Sequence, residues 1–252
     1  MYYSNICILL VILVSIVIID PVNAANVDYE DQSNWSGDWT SGNKQSPINI
    51  QSGDSQEKAG LSISVSSPNR NDETLVWDGT KLQVDYDEAE LIFNDGDEET
   101  KWTSAQFHFH AKSEHHLDGQ ESDVELHVVF TKQDDSSQYL VLGILFDGDD
   151  DAETNEFLDN LNLDSLSDGD NTVNVRLHSL LDSIEGKQMF NYEGSLTTPT
   201  CDEGVTWIVL SEPVSVPTEQ VKPILDIWPN DSSFQNGVGT DRDLQEDRKS
   251  VV

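Results

Sequence analysis

Apolar residues recur along this chain mostly with a period of two. Leu61-Ser62-Ile63-Ser64-Val65 and Leu82-Gln83-Val84-Asp85-Tyr86 alternate apolar with polar, which predicts strands with one buried face. Tyr139 to Phe146 and Val205 to Leu210 are continuous apolar runs, short enough to be strands buried on both faces. Asp78-Gly79, Asp95-Gly96 and Asp118-Gly119 supply turn signals between such runs. A helical period appears in 153–163 and 173–184. Residues 25–46 are polar, bear tryptophan and are rich in Gly, Ser and Asn, which predicts an irregular arm. With no internal repeat, the pattern predicts a mainly β (α+β) domain: a large, mostly antiparallel sheet with a few peripheral helices.

The amino terminus differs in kind. An apolar run from Ile6 to Ile19 is short for a membrane span and is followed by Val22-Asn23-Ala24, so residues 1–24 read as a secretory signal and 25–252 as one secreted domain. No Lys or Arg precedes Lys44, and a retained signal anchor is the alternative. Cleavage removes Cys7 and leaves Cys201 without an internal partner, either a small buried hydrophobe or an intermolecular one.

Charge narrows the partners. With 48 acidic and 13 basic residues the formal charge is −35, which excludes nucleic acid and, after signal cleavage, an anionic membrane. The expected companions are cations, Na+ or Ca2+, on a solvated, salt-tolerant surface. Asp147-Gly148-Asp149-Asp150-Asp151 lacks the spacing of an EF-hand loop. Asn34-Trp35-Ser36 and Asn230-Asp231-Ser232 are glycosylation sequons.

Five of the six histidines fall between His108 and His127. In Gln106-Phe107-His108-Phe109-His110 a strand places Gln106, His108 and His110 on one face, the two imidazoles roughly 7 Å apart along it. A second strand, Val124 to Val129, puts Glu125, His127 and Val129 on one face. If the two are antiparallel neighbours, three neutral imidazoles meet with a fourth position open, the ligand set of a catalytic Zn2+ site. Gln106 and Glu125, each two residues before a histidine, are placed to orient the rings. A single His-x-His pair is common on sheet surfaces without any metal; the third histidine with its carboxylate favours the metal.

These residues resemble the α-class carbonic anhydrases. Gln45-Ser46-Pro47-Ile48-Asn49-Ile50, the His108 strand followed by Ser113-Glu114-His115, Glu125-Leu126-His127, and Gly194-Ser195-Leu196-Thr197-Thr198-Pro199 followed by Gly204 to Leu210 match that family's blocks in order. The resemblance implies a twisted ten-stranded sheet with zinc at the base of a conical cleft. It implies a lyase interconverting carbon dioxide and bicarbonate, with water activated by zinc on His108, His110 and His127. Thr197 would accept the nucleophile's proton in a hydrogen bond and donate its own to Glu114. Thr198 would contact bicarbonate. Val129, Val141, Leu196, Val205 and Trp207 would form the apolar wall, and Tyr192 would extend the hydrogen-bond network. Thr80 stands at the proton-shuttle position and, not being histidine, cannot relay a proton. Ala111 stands in a shortened loop where many members have tryptophan, and the usual disulfide partner of Cys201 is missing. The alternative function is an acidic structural or mineral-associated protein on the same scaffold.

Overall fold

The computed structural model describes residues 27, 29, 31–38, 41–79, 81–230 and 239–246. The expected signal peptide, Thr80 and the Asp231-Ser232 part of the second sequon lie outside them. The first half of the chain forms β1 (Asn49–Ile50), β2 (Leu61–Ser66), β3 (Arg70–Trp77), β4 (Leu82–Asp85), β5 (Glu90–Asp95), β6 (Glu99–His110), β7 (His116–Leu117) and β8 (Gln120–Glu121). The second half forms β9 (Val124–Lys132), β10 (Tyr139–Gly148), α1 (Glu156–Leu161), β11 (Gly169–Val175), α2 (Leu177–Ile184), β12 (Met189–Ser195), β13 (Glu203–Leu210), β14 (Val214–Val216) and α3 (Thr218–Asn230).

Eleven strands make one sheet in the order β11-β3-β4-β6-β9-β10-β13-β12, with β5 on β6, β2 on β5 and β14 on β10. Its pairs are antiparallel except β10 with β13 and β10 with β14, so the sheet is mixed and has one strand more than the resemblance implied. The Gln45–Ile50 block is the second difference: β1 joins β7 and β8 in a separate three-stranded sheet. Among the described residues no helix is long and apolar enough to cross a membrane.

Position 105 sets the geometry of β6. The ladder with β9 slips between Ser104 and Gln106, leaving Ala105 as a bulge. Before the bulge the even residues Trp102 and Ser104 are buried; after it the odd residues Phe107 and Phe109 are. All three aromatics thereby enter the main core, where both phenylalanine rings also meet Phe157 of α1, and His108 and His110 are left on the opposite face.

Both helical forecasts need correction. The 173–184 segment divides: Val173 and Val175 are buried in β11, paired to β3, and only Leu177, Leu180, Leu181 and Ile184 form a helical apolar face. An edge position beside β3 offers two β-branched residues a ladder, which outweighs their compatibility with a helix. The 153–163 segment starts later, at Glu156, where the Asn155 side chain caps the Leu158 amide, and it ends at Asn162 in the left-handed region.

Candidate active site

The face of the sheet opposite the main core is ordered in cross-strand rows. One row runs Asp85, Gln106, Val129, Val141, Trp207, Tyr192 across β4, β6, β9, β10, β13 and β12. The next runs Gln83, His108, His127, Gly143, Val209. His110 and Glu125 face each other in the third. The antiparallel neighbourhood expected of the two histidine strands is therefore present, with His108 directly opposite His127.

The three imidazoles converge. Their ring centroids are 4.6 to 5.1 Å apart, and one nitrogen of each lies within 4.8 Å of the others. Each ring also has an outward nitrogen, and each of these is engaged: His108 Nδ1 donates to Gln106 Oε1 and His110 Nδ1 to the Thr240 carbonyl, both at 2.8 Å, and His127 Nε2 donates to Glu125 Oε1 at 2.9 Å. These bonds fix the tautomers so that the lone pairs sit on Nε2, Nε2 and Nδ1. Burial holds the pKa of all three rings below the ordinary histidine value and so keeps them neutral, the form that can ligate.

Glu125 anchors the site. Its Oε2 accepts from the backbone amides of Glu114 and His115 at 2.9 and 2.8 Å, and its Oε1 also accepts from His115 Nδ1 at 2.7 Å. Burial alone would raise its pKa, but the His115 and His127 rings outweigh that and hold the carboxyl well below the usual range. Beyond it the chain continues from His115 Nε2 to the Tyr192 hydroxyl at 2.6 Å and on to Ser46 Oγ at 2.7 Å, the network expected of Tyr192.

Glu114 is buried and faces the space between the rings. Its Oε1 accepts from the Arg242 amide at 2.9 Å, while its Oε2 has no partner and lies 3.6 Å from His110 Nε2 and 3.9 Å from His127 Nδ1. Burial pushes its pKa up to about 7 against the His127 ring, with the Arg242 amide and the Thr197 hydroxyl as lesser opposing influences. Thr197 is buried beside it, short of a closed hydrogen bond to Oε2. Two buried polar atoms, His110 Nε2 and Glu114 Oε2, thus lack partners around one small space. A dication there would answer both and draw the carboxyl back toward its ionised form. The residues present fit a metal.

The expected wall residues also assemble. Val129, Val141, Val205 and Trp207 belong to a second apolar cluster, separate from the main core, against which Leu196 packs. Thr198 is partly buried, and its carbonyl accepts from the Cys201 amide at 2.8 Å. Cys201 itself is fully buried, which makes it the small hydrophobe and not an intermolecular partner.

Sequence reasoning missed three participants. Thr240 contributes only a backbone carbonyl, which no residue type announces. Gly143 matters for what it lacks. Arg242 is buried and binds Gln45 Oε1 at 2.8 Å and the Ser46 carbonyl, tying the Gln45 block beneath the Thr197 loop; an arginine in a chain so poor in bases was its one visible signal.

Residues 30–247 match the family model of eukaryotic-type carbonic anhydrases. A carbonic anhydrase of Pectobacterium carotovorum is 28% identical over 182 residues, covering 71% of this chain and 70% of that protein. Among solved structures, the α-carbonic anhydrase of Thermovibrio ammonificans in complex with sulfanilamide aligns with a TM-score of 0.67 at 29% identity, over 83% of this chain and 87% of that one. A halotolerant carbonic anhydrase from Dunaliella salina aligns with a TM-score of 0.67 at 26% identity, over 84% and 88%. With its blocks in order, its mixed β-sheet and its three convergent imidazoles, the chain belongs to the eukaryotic-type carbonic anhydrase family, enzymes of carbon dioxide hydration.

Proposed function

We propose that this carbonic anhydrase is zinc-dependent and that His108 Nε2, His110 Nε2 and His127 Nδ1 hold the ion. The observation that carries the reading is the engagement of every outward ring nitrogen, by Gln106, Thr240 and Glu125, which leaves three inward lone pairs and an orphaned Glu114 oxygen around one space. When bound, zinc lowers the pKa of a water from about 15.7 to about 7 and so supplies a nucleophile at neutral pH.

The chain's own groups do the rest. Thr197, backed by Glu114, accepts the nucleophile's proton in a hydrogen bond and turns its lone pair to the substrate. Val129, Val141, Leu196, Val205 and Trp207 give a nonpolar gas a surface that does not hold water tightly. Thr198 contacts the bicarbonate. Thr80 has no titratable group with which to pass on the proton released in each turnover.

The intact ligand set, with Glu114 and Thr197 beside it, disfavours a purely structural or mineral-associated role. The apolar leader supports a secreted enzyme. The charge of −35 and the similarity to a halotolerant relative support a surface adapted to salt, with Na+ or Ca2+ as its companions. Elemental analysis tests the metal assignment: one zinc per chain is expected in the parent and little or none in His110→Ala. Stoichiometric zinc in that variant would contradict the ligand set.

A further inference from the structure

The open face of β4 carries a row the mechanism has not used. Leu82 and Val84 are fully buried in the main core, so Gln83, partly buried, and Asp85, exposed, turn the other way; Lys81, partly buried, stands immediately before the strand with the same parity. Gln83 pairs with His108 and Asp85 with Gln106, which sets the row about 5 Å, one strand spacing, from the histidine strand on the sheet face that carries the three imidazoles. The Gln83 amide donates to Asp85 Oδ1 at 2.7 Å and occupies that carboxylate. At the other end the Lys81 backbone N–H donates to Asp78 Oδ1 at 3.1 Å, fixing where the side chain leaves the turn. The Lys81 ammonium has no acidic partner within ion-pair distance among the described residues, although acidic residues outnumber basic ones 48 to 13.

An unpaired cation beside the metal ligands of a protein of charge −35 has an evident use, because one side of the reaction is an anion. We propose that Lys81 is a bicarbonate-holding residue at the edge of the imidazole face, attracting and retaining the anion where the rest of the protein repels it. Carbon dioxide is neutral and gains nothing from it. The inference rests on the carbonic anhydrase reading and adds a determinant of bicarbonate affinity to it.

The test is the inhibition of carbon dioxide hydration by added bicarbonate, measured for the zinc-loaded parent and for Lys81→Gln, Lys81→Glu and Lys81→Arg, with zinc content checked in each. A unit charge about 6 Å from the anion in a water-like dielectric is worth about threefold in affinity. The bicarbonate inhibition constant is therefore expected to rise about threefold in Lys81→Gln and about tenfold in Lys81→Glu at low salt, and to stay near the parent's in Lys81→Arg. In 1 M sodium chloride, where screening shortens to about 3 Å, the differences should vanish. Equal constants in Lys81→Glu and the parent at low salt overturn the proposal, as does a loss that persists undiminished in molar salt. A zinc-loaded parent without hydration activity would refute the underlying reading instead. Titrating 13C-bicarbonate by its NMR line width against the same variants would then decide the role of Lys81 alone.

Discussion

A methyl group on Gly143 would lie 2.9 Å from Glu125 Oε1, the oxygen shared by His127 and His115, with Val209 and Trp207 close behind. The residue stands directly opposite His127 in the ladder, so the only relief is to move the carboxylate that sets the His127 tautomer. Gly143→Ala is therefore expected to weaken zinc binding about ten- to a hundredfold, the usual cost of losing a group that orients a ligand, measured by chelator competition. Parent-like zinc affinity in a folded Gly143→Ala protein would show that Glu125 does not need this space. Thr197→Ala separates the other roles. It should keep its zinc and lose about a hundredfold in hydration rate, since orientation of the nucleophile goes while the ligands stay; loss of zinc together with rate would contradict that division. The roles most legible in sequence were those of Gln106 and Glu125, because a strand's period of two places a side chain on its ligand's face. Thr240 was not legible, because any residue has a carbonyl.

Among the elements, β6 shows what alternation reveals and what it hides. Phe107-His108-Phe109-His110 displays its two faces openly, but Trp102 has the wrong parity to share a core face with Phe107 unless one residue is set aside. Ala105 is that residue. Deleting it would force either Trp102 or the Phe107 and Phe109 pair out of the core, and removing one large aromatic from a core costs about 3 to 5 kcal/mol. The deletion is expected to abolish cooperative thermal unfolding or lower the melting temperature by about ten degrees or more, and to lose zinc. A parent-like melt with full zinc would mean that the bulge does not set the parity. The 173–184 segment failed in sequence for a related reason. Val173 and Val175 fit a helical stripe and a strand equally, and only the free edge of β3, a partner about a hundred residues away, decides between them. The small sheet was hidden too, since two-residue strands carry no period.

For the whole molecule, the charge of −35 acts on stability before it acts on chemistry. Like charges spread over one surface repel at low ionic strength, and screening shortens from about 8 Å at physiological salt to about 3 Å at 1 M. The melting temperature should rise from low salt to molar sodium chloride, and a flat or falling curve would leave salt adaptation without support. A rise with Ca2+ far beyond sodium at equal ionic strength would point to specific cation sites. In the proposed reading, catalysis by this fold depends on a zinc ion held by the three convergent imidazoles of His108, His110 and His127. Stopped-flow measurement of carbon dioxide hydration on the metal-stripped protein, before and after one equivalent of zinc, tests it most directly. Negligible catalysis is expected in the stripped protein, with recovery on adding zinc and no recovery in His110→Ala; full hydration activity in the stripped protein or in zinc-free His110→Ala would overturn the zinc assignment.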